Sequence, residues 1–262
     1  MDYSKYFNQL EIEGYTVIPN VICNSQANEY INSIWNWLES LQTGIQREDP
    51  STWKSKNWPI SIHGIIQHYM AGQSKVVWDV RTNPKIINIF KELWDDKDLL
   101  TSFDGLCVMK PPNHGGSTRS KSWYHLDQGH NKVGKHCIQG LLNLEETTIN
   151  DGSFMVLPGS HKCHQEFYKE NNIKTKTDWY KFTTDDYSWY INKGFQPKRL
   201  EIPKGSVVLW DSRSVHCNVP PTKKSTNFRY VIYICMTPER LSTDKILDKR
   251  IKAFKELRMT SH

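Results

Sequence analysis

The chain has 262 residues, 37% of them hydrophobic and 24% charged, with 34 basic against 28 acidic side chains and a net charge of +6. That length suits one well-buried domain, and no apolar run nears the ~20 residues of a membrane helix, nor does the start resemble a secretory leader, which predicts a soluble, unsecreted, cytoplasmic protein without a membrane partner. Charges of both signs are interspersed, which argues against a nucleic-acid partner despite ten tryptophans and leaves the oligomeric state open.

In chain order, the first predicted helix is Ser25 to Leu41, where Ile31, Ile34, Trp35, Leu38 and Leu41 form one apolar stripe and Asn24 is the expected N-cap. A polar stretch at 42–57 reads as a surface loop. Pro84 to Trp94 is a second amphipathic helix, with proline in the first turn, where a missing N–H costs least. Short strands follow at 99–110, 122–127, 136–144, 153–157, 199–202, 206–210 and 227–236, separated by Gly and Pro. Asp244 to Arg258 reads as a closing helix with a solvated face. Many short strands predict a mainly β fold, a sandwich or jelly roll. The expected division is a helical N-terminal part (about 1–98), a jelly-roll core (about 99–240) and a C-terminal helix (about 241–258) within a single domain.

The insert 162–198 is rich in aromatic and charged residues, including Trp179, Tyr180, Phe182, Tyr187, Trp189 and Tyr190, and reads either as a wall or lid of a site or as an ordered packing extension. The six cysteines, at 23, 107, 137, 163, 217 and 235, lack Cys-x-x-Cys spacing and are expected to be thiols in a reducing compartment.

Chemistry concentrates at His125, Asp127, His216 and Arg229. Residues two apart on a strand share a face, about 6.6 Å apart from two rises of ~3.3 Å, so His125 and Asp127 can converge on one metal. A second histidine, His216, just beyond the predicted strand 206–210, completes two imidazoles and one carboxylate. That set suits non-heme Fe(II) with open positions, and it also holds catalytic zinc. Arg229 opens the clearest strand, on the face of Val231, Tyr233 and Cys235, where a guanidinium needs an anion. It is either a strand-end salt bridge or a fork for a dicarboxylate. Alternation through 102–110 places Asp104 beside Leu106 and Val108, as a substrate-facing carboxylate or as the partner of Lys110 or Arg81. His114 is expected in solvent, and His161 either at a pocket rim or stabilising a turn.

With those residues stand Glu13-Gly14-Tyr15-Thr16-Val17-Ile18-Pro19, Gly140-Leu141-Leu142-Asn143-Leu144-Glu145-Glu146, Asp151 through Lys162, and Gly205 through Arg229. Together they resemble the phytanoyl-CoA dioxygenase family of Fe(II)- and 2-oxoglutarate-dependent oxygenases over about Leu10 to Met236. The resemblance implies a double-stranded β-helix (jelly roll, cupin-like) flanked by helices, with iron on His125, Asp127 and His216. It also implies Fe(II), 2-oxoglutarate and O2 as the reactive set, 2-oxoglutarate anchored by Arg229 with Asn218 beside it, and Asp127 favouring hydroxylation over halogenation. The segment Trp58 to Gly64 falls where members bring a chain over the pocket, so Trp58 and His63 join Asp104 as candidate substrate contacts. The expected activity is C–H hydroxylation of a small-molecule or acyl substrate. A catalytically silent metal-binding scaffold, an oxygenase acting on protein or nucleic acid, and a zinc hydrolase that would leave Arg229 without a task are the alternatives.

Overall fold

The computed structural model describes residues 2–260. The N-terminal part holds α1 (Ser4–Glu13), β1 (Tyr15–Ile18), α2 (Asn24–Ser40), β2 (Ile65–Ile66), α3 (Lys75–Arg81) and α4 (Pro84–Trp94). Next come β3 (Leu99–Thr101), β4 (Leu106–Met109), β5 (His125–Leu126), β6 (Ile138–Asn143) and β7 (Ser153–Val156). The insert contributes α5 (His164–Glu170), β8 (Tyr180–Lys181) and α6 (Thr184–Asn192), before β9 (Lys198–Arg199), β10 (Val207–Asp211), β11 (His216–Val219), β12 (Arg229–Pro238) and α7 (Asp244–Lys255).

Among the described residues, the strands form two sheets. The major one runs β1-β10-β6-β12-β4-β2, with β3 also on β12, and the minor one runs β8-β5-β11-β7-β9. This is the predicted jelly roll, with helices at both ends of the chain. Strand β12 shows why it read so clearly. Tyr230, Ile232, Ile234 and Met236 face the helices, whereas Val231 and Tyr233 face the space between the sheets. A strand buried on both sides must be apolar throughout. The helices cover the outer face of the major sheet: α2 buries Ile31, Ile34, Trp35 and Leu38, and α4 buries Ile86, Ile89 and Phe90. Each such aliphatic or aromatic side chain contributes about 1.5–3 kcal/mol.

Several expectations shift. Cys23, not Asn24, occupies the N-cap of α2, because the helix already includes Asn24. The stretch 99–110 is two strands, and Asp104 sits in the break between β3 and β4, so simple alternation does not govern its side chain. The expected strand 122–127 shrinks to two residues. Strand β1, the opening strand that the resemblance implies within the otherwise helical N-terminal part, joins the major sheet against β10. Gly205 explains the turn into β10: its φ is +76°, and a Cβ there would meet the Ile22 carbonyl oxygen at 2.3 Å.

The insert is both of its expected alternatives. Its base is packed, with Phe167, Tyr168, Phe182 and Tyr190 in a core with Leu126 and Val215. Its tip, from Thr177 to Lys181, borders the cavity between the sheets.

Candidate metal centre

Strands β5 and β11 pair so that His125 lies directly opposite His216. Asp127 follows β5, held where its N–H donates to the Ser212 carbonyl at 3.0 Å. The Asp127 Oδ2 lies 3.2 Å from His216 Nε2 and 3.5 Å from His125 Nε2. All three residues are buried, and their ligand atoms lie within 4.8 Å of one another. Each histidine turns its other nitrogen to the backbone: Nδ1 of His125 meets the Trp123 carbonyl at 3.0 Å, and Nδ1 of His216 meets the Ser214 carbonyl at 2.9 Å. A carbonyl demands a donor, so Nδ1 carries the proton and Nε2 presents its lone pair to the shared centre. Burial, and then the neighbouring His125, holds His216 below the ordinary histidine range, with Asp127 pulling the other way. A neutral imidazole is the form a metal needs.

The opposite sheet completes the set. Gln139 of β6 donates from Nε2 to Asp127 Oδ2 at 3.1 Å, orienting the carboxylate from the major sheet. No sequence pattern singled out Gln139, because its role depends on which strand faces it. Donor set, tautomers and orientation all fit a divalent ion with two imidazoles and one carboxylate.

Arg229 is 1% exposed, and its Nε and Nη2 have no hydrogen-bond partner; Nη1 only approaches the Cys107 sulfur, at 3.5 Å. A strand-end salt bridge is therefore not its role. The guanidinium sits behind the cavity wall, beside Tyr233, whose phenol is pushed up by burial and then by Cys107, with Arg229 and Asn218 offsetting. Asn218 lies on the wall itself and donates to the Tyr233 hydroxyl at 2.8 Å. A buried cation with two nitrogens lacking partners has the chemistry to meet a carboxylate. Tyr233 was legible only as a face-mate of Arg229.

The cavity between the sheets measures about 710 Å³ and includes all three triad residues on its wall. It also includes Asp104 and His63. Ile62 and Ile65 exchange backbone hydrogen bonds at 2.9 Å around His63 and Gly64, both at positive φ, which makes a tight two-residue turn with His63 at its tip. The His63 ring stacks on Trp123 at 4.0 Å, and Trp123 stacks on His125 at 4.8 Å. Burial, with Lys181 and His125, holds His63 below its ordinary range. Asp104 lies near Arg81, which donates to the Asp104 backbone carbonyl, while Lys110 turns away to the Trp53 carbonyl.

Other expectations fall elsewhere. Trp58 is not on the cavity wall; it packs edge-on to Trp35 at 6.0 Å in the helix-side core. His114 is not in open solvent but lies against Trp53 and Phe228, at 5.0 and 5.6 Å. His161 is buried under α1, with Nε2 at 3.1 Å from the Glu11 carbonyl, away from the cavity. A separate open groove of about 540 Å³ over Trp35, Arg47 and Phe228 contains none of the chemistry-bearing groups. Among the described residues no helix is long and apolar enough to cross a membrane.

The family model for phytanoyl-CoA dioxygenase (PhyH) matches residues 10–218. The Ava biosynthesis cluster protein O of Aspergillus versicolor is 31% identical over 268 residues, spanning 99% of this chain and 86% of that protein. Among solved structures, the non-heme alpha-ketoglutarate-dependent carbocyclase SnoK from nogalamycin biosynthesis superposes with a TM-score of 0.61 at 16% identity, covering 89% of this chain and 83% of that one. EctD from S. alaskensis, solved with 2-oxoglutarate and 5-hydroxyectoine, gives 0.59 at 13% identity, covering 93% and 78%. With 209 consecutive residues inside the family model and the triad closed by the fold, the chain belongs to the phytanoyl-CoA dioxygenase family of Fe(II)- and 2-oxoglutarate-dependent oxygenases.

Proposed function

We propose that the protein is a hydroxylase of a small molecule bearing a planar apolar ring, acting as one catalytic domain in the cytoplasm, with Fe(II) on His125, Asp127 and His216. The observation that carries this reading is the pairing of the closed triad with a buried guanidinium whose Nε and Nη2 lack partners. The chemistry supplied by bound Fe(II) and O2 is oxidative decarboxylation of 2-oxoglutarate to succinate and carbon dioxide, coupled to oxygen insertion into a substrate C–H bond. The chain does the rest. Arg229 and Asn218 take the cosubstrate's far carboxylate, and Gln139 keeps Asp127 turned toward the ligand position. Phe154 and Trp210, packed at 5.3 and 5.4 Å from the His216 ring, exclude water behind it. Asp127 leaves no room for a halide ligand, which favours hydroxylation.

The substrate class follows from the walls. A volume of about 710 Å³ suits a small molecule beside the cosubstrate. Trp179 is 52% exposed and leans over His125 at 6.1 Å, and Ile62 is 58% exposed at the same mouth. Large apolar side chains left in water at a cavity mouth point to an apolar ligand body. His63 and Asp104 supply hydrogen-bonding groups nearby. The A. versicolor relative and SnoK, both named for biosynthesis, support a small-molecule substrate.

Succinate release tests this, measured with Fe(II), ascorbate and 2-oxoglutarate across fused-ring compounds and linear acyl thioesters. Stimulation by the ring compounds, lost in His216→Ala by about 100-fold or more, is the expected result. Turnover retained in His216→Ala removes the triad, and stimulation by acyl thioesters alone removes the ring-bearing substrate.

A further inference from the structure

On the inner face of the major sheet two thiols meet. Cys235 of β12 lies opposite Gln139 of β6, so Cys137, two residues before Gln139, is its diagonal neighbour on the same face. Their sulfurs are 3.2 Å apart. Closing to a disulfide length of about 2.05 Å takes a movement of roughly 1 Å. Cys235 borders the metal cavity, and Cys137 is half-buried just before β6. The guanidinium of Arg250, on α7, is close enough to Cys235 for the two to influence each other, and it is held there by the Thr101 carbonyl and the Phe103 ring. Gln139, on the same face as both sulfurs, is the residue that orients Asp127.

We propose that Cys137 and Cys235 are a modification site, joined reversibly into a disulfide by hydrogen peroxide, and that the bond turns the metal centre down by drawing Gln139 away from Asp127. The Cys235 thiolate attacks one peroxide oxygen; the O–O bond breaks, hydroxide leaves, and Cys235 becomes a sulfenic acid. The Cys137 sulfur then attacks the sulfenic sulfur, the S–O bond breaks, and the departing hydroxide takes the Cys137 proton. Two thiols lose two electrons and one peroxide becomes two waters. Excess small thiol reverses the bond. The disulfide stands on the sulfur geometry alone, whereas its effect on turnover rests on the oxygenase reading.

Metal-free protein is treated with hydrogen peroxide, quenched with catalase, mapped by non-reducing peptide mass spectrometry, and then titrated with Co(II) and assayed after Fe(II) loading. The expected result is a Cys137–Cys235 cross-linked peptide, with Co(II) affinity and succinate formation each lowered about ten-fold and restored by dithiothreitol. Cys137→Ser, with unchanged basal turnover, resists the treatment. Absence of the cross-link overturns the site, and a cross-link that leaves Co(II) affinity unchanged overturns the switch. Reduced protein that binds Co(II) but never forms succinate counts against the oxygenase reading alone.

Discussion

Arg229 concentrates the energetics of the site in one side chain. A guanidinium that is 1% exposed and has two nitrogens without partners costs free energy in the ligand-free protein, and under the proposed function a carboxylate of 2-oxoglutarate would offset that cost. Arg229→Met therefore has opposite effects on stability and function. The ligand-free variant is expected to be about 1–3 kcal/mol more stable than the parent, while thermal stabilisation by 2-oxoglutarate disappears. Melting curves with and without 2-oxoglutarate decide this; a variant still stabilised by the cosubstrate places the anchor elsewhere. The metal ligands are legible at this scale only in context. Alone, His125 reads equally well as a hydrogen-bonded strand-end histidine and Asp127 as a turn cap, and it is His216 beyond an apolar strand, with the surrounding motifs, that joins them into a ligand set. Gln139 and Tyr233 are not legible, since an amide or a phenol on a strand is ordinary until the facing strand is known.

At the scale of elements, the insert and the loops separate stability from specificity. Trp179, at the insert's tip, is 52% exposed, whereas Phe167 and Tyr190 in its base are fully buried. Trp179→Ala is expected to raise the substrate KM about ten-fold, leave the 2-oxoglutarate KM unchanged and alter stability by no more than about 0.5 kcal/mol. Steady-state kinetics with each substrate varied separates this from a merely structural tip, which would leave both KM values alone. Asp151 does the reverse. Its carboxylate accepts from Thr148 Oγ1 at 2.7 Å, Ser225 Oγ at 2.7 Å and Asn227 Nδ2 at 3.2 Å, tying the β6–β7 loop to the segment before β12. Burial raises its pKa, but the bonds from Thr148, Ser225 and Asn227 outweigh burial and hold it below the ordinary 3.8. A depressed carboxyl pKa stabilises the fold above that ordinary value, and the contribution is lost as pH falls through the folded one. Asp151→Asn is thus expected to cost about 2 kcal/mol at neutral pH, the gap from the parent narrowing toward about pH 3 in urea unfolding. A gap that stays constant with pH would mean shape rather than charge sets the cost. The motif Asp151 through Lys162, prominent in the sequence, is in this respect a structural clamp.

At the scale of the molecule, the metal position joins the two sheets. His125 and His216 belong to the minor sheet, and Asp127 is held to the major sheet through Gln139. A divalent ion there links both layers, so Co(II) at about 100 times its Kd is expected to stabilise the protein by ~2.7 kcal/mol, reversed by a chelator. The same ion should leave His216→Ala unmoved. Equal stabilisation of the variant would place the metal outside the triad.

What the sequence determined by itself was the chemistry and the class of fold. Ligand types at strand spacing, a cation in an apolar strand and many short strands between turns all follow from local chemistry, and local chemistry is written in the order of residues. The tertiary structure alone decided which distant groups meet. It moved Trp58 into the core and seated His63 on Trp123. It also turned Gln139 toward Asp127 and divided the insert into a packed base and a cavity wall. Those outcomes depend on the pairing of β5 with β11 and the closure of one sheet over the other. Such long-range register is set by the whole core at once, not by any segment of the chain.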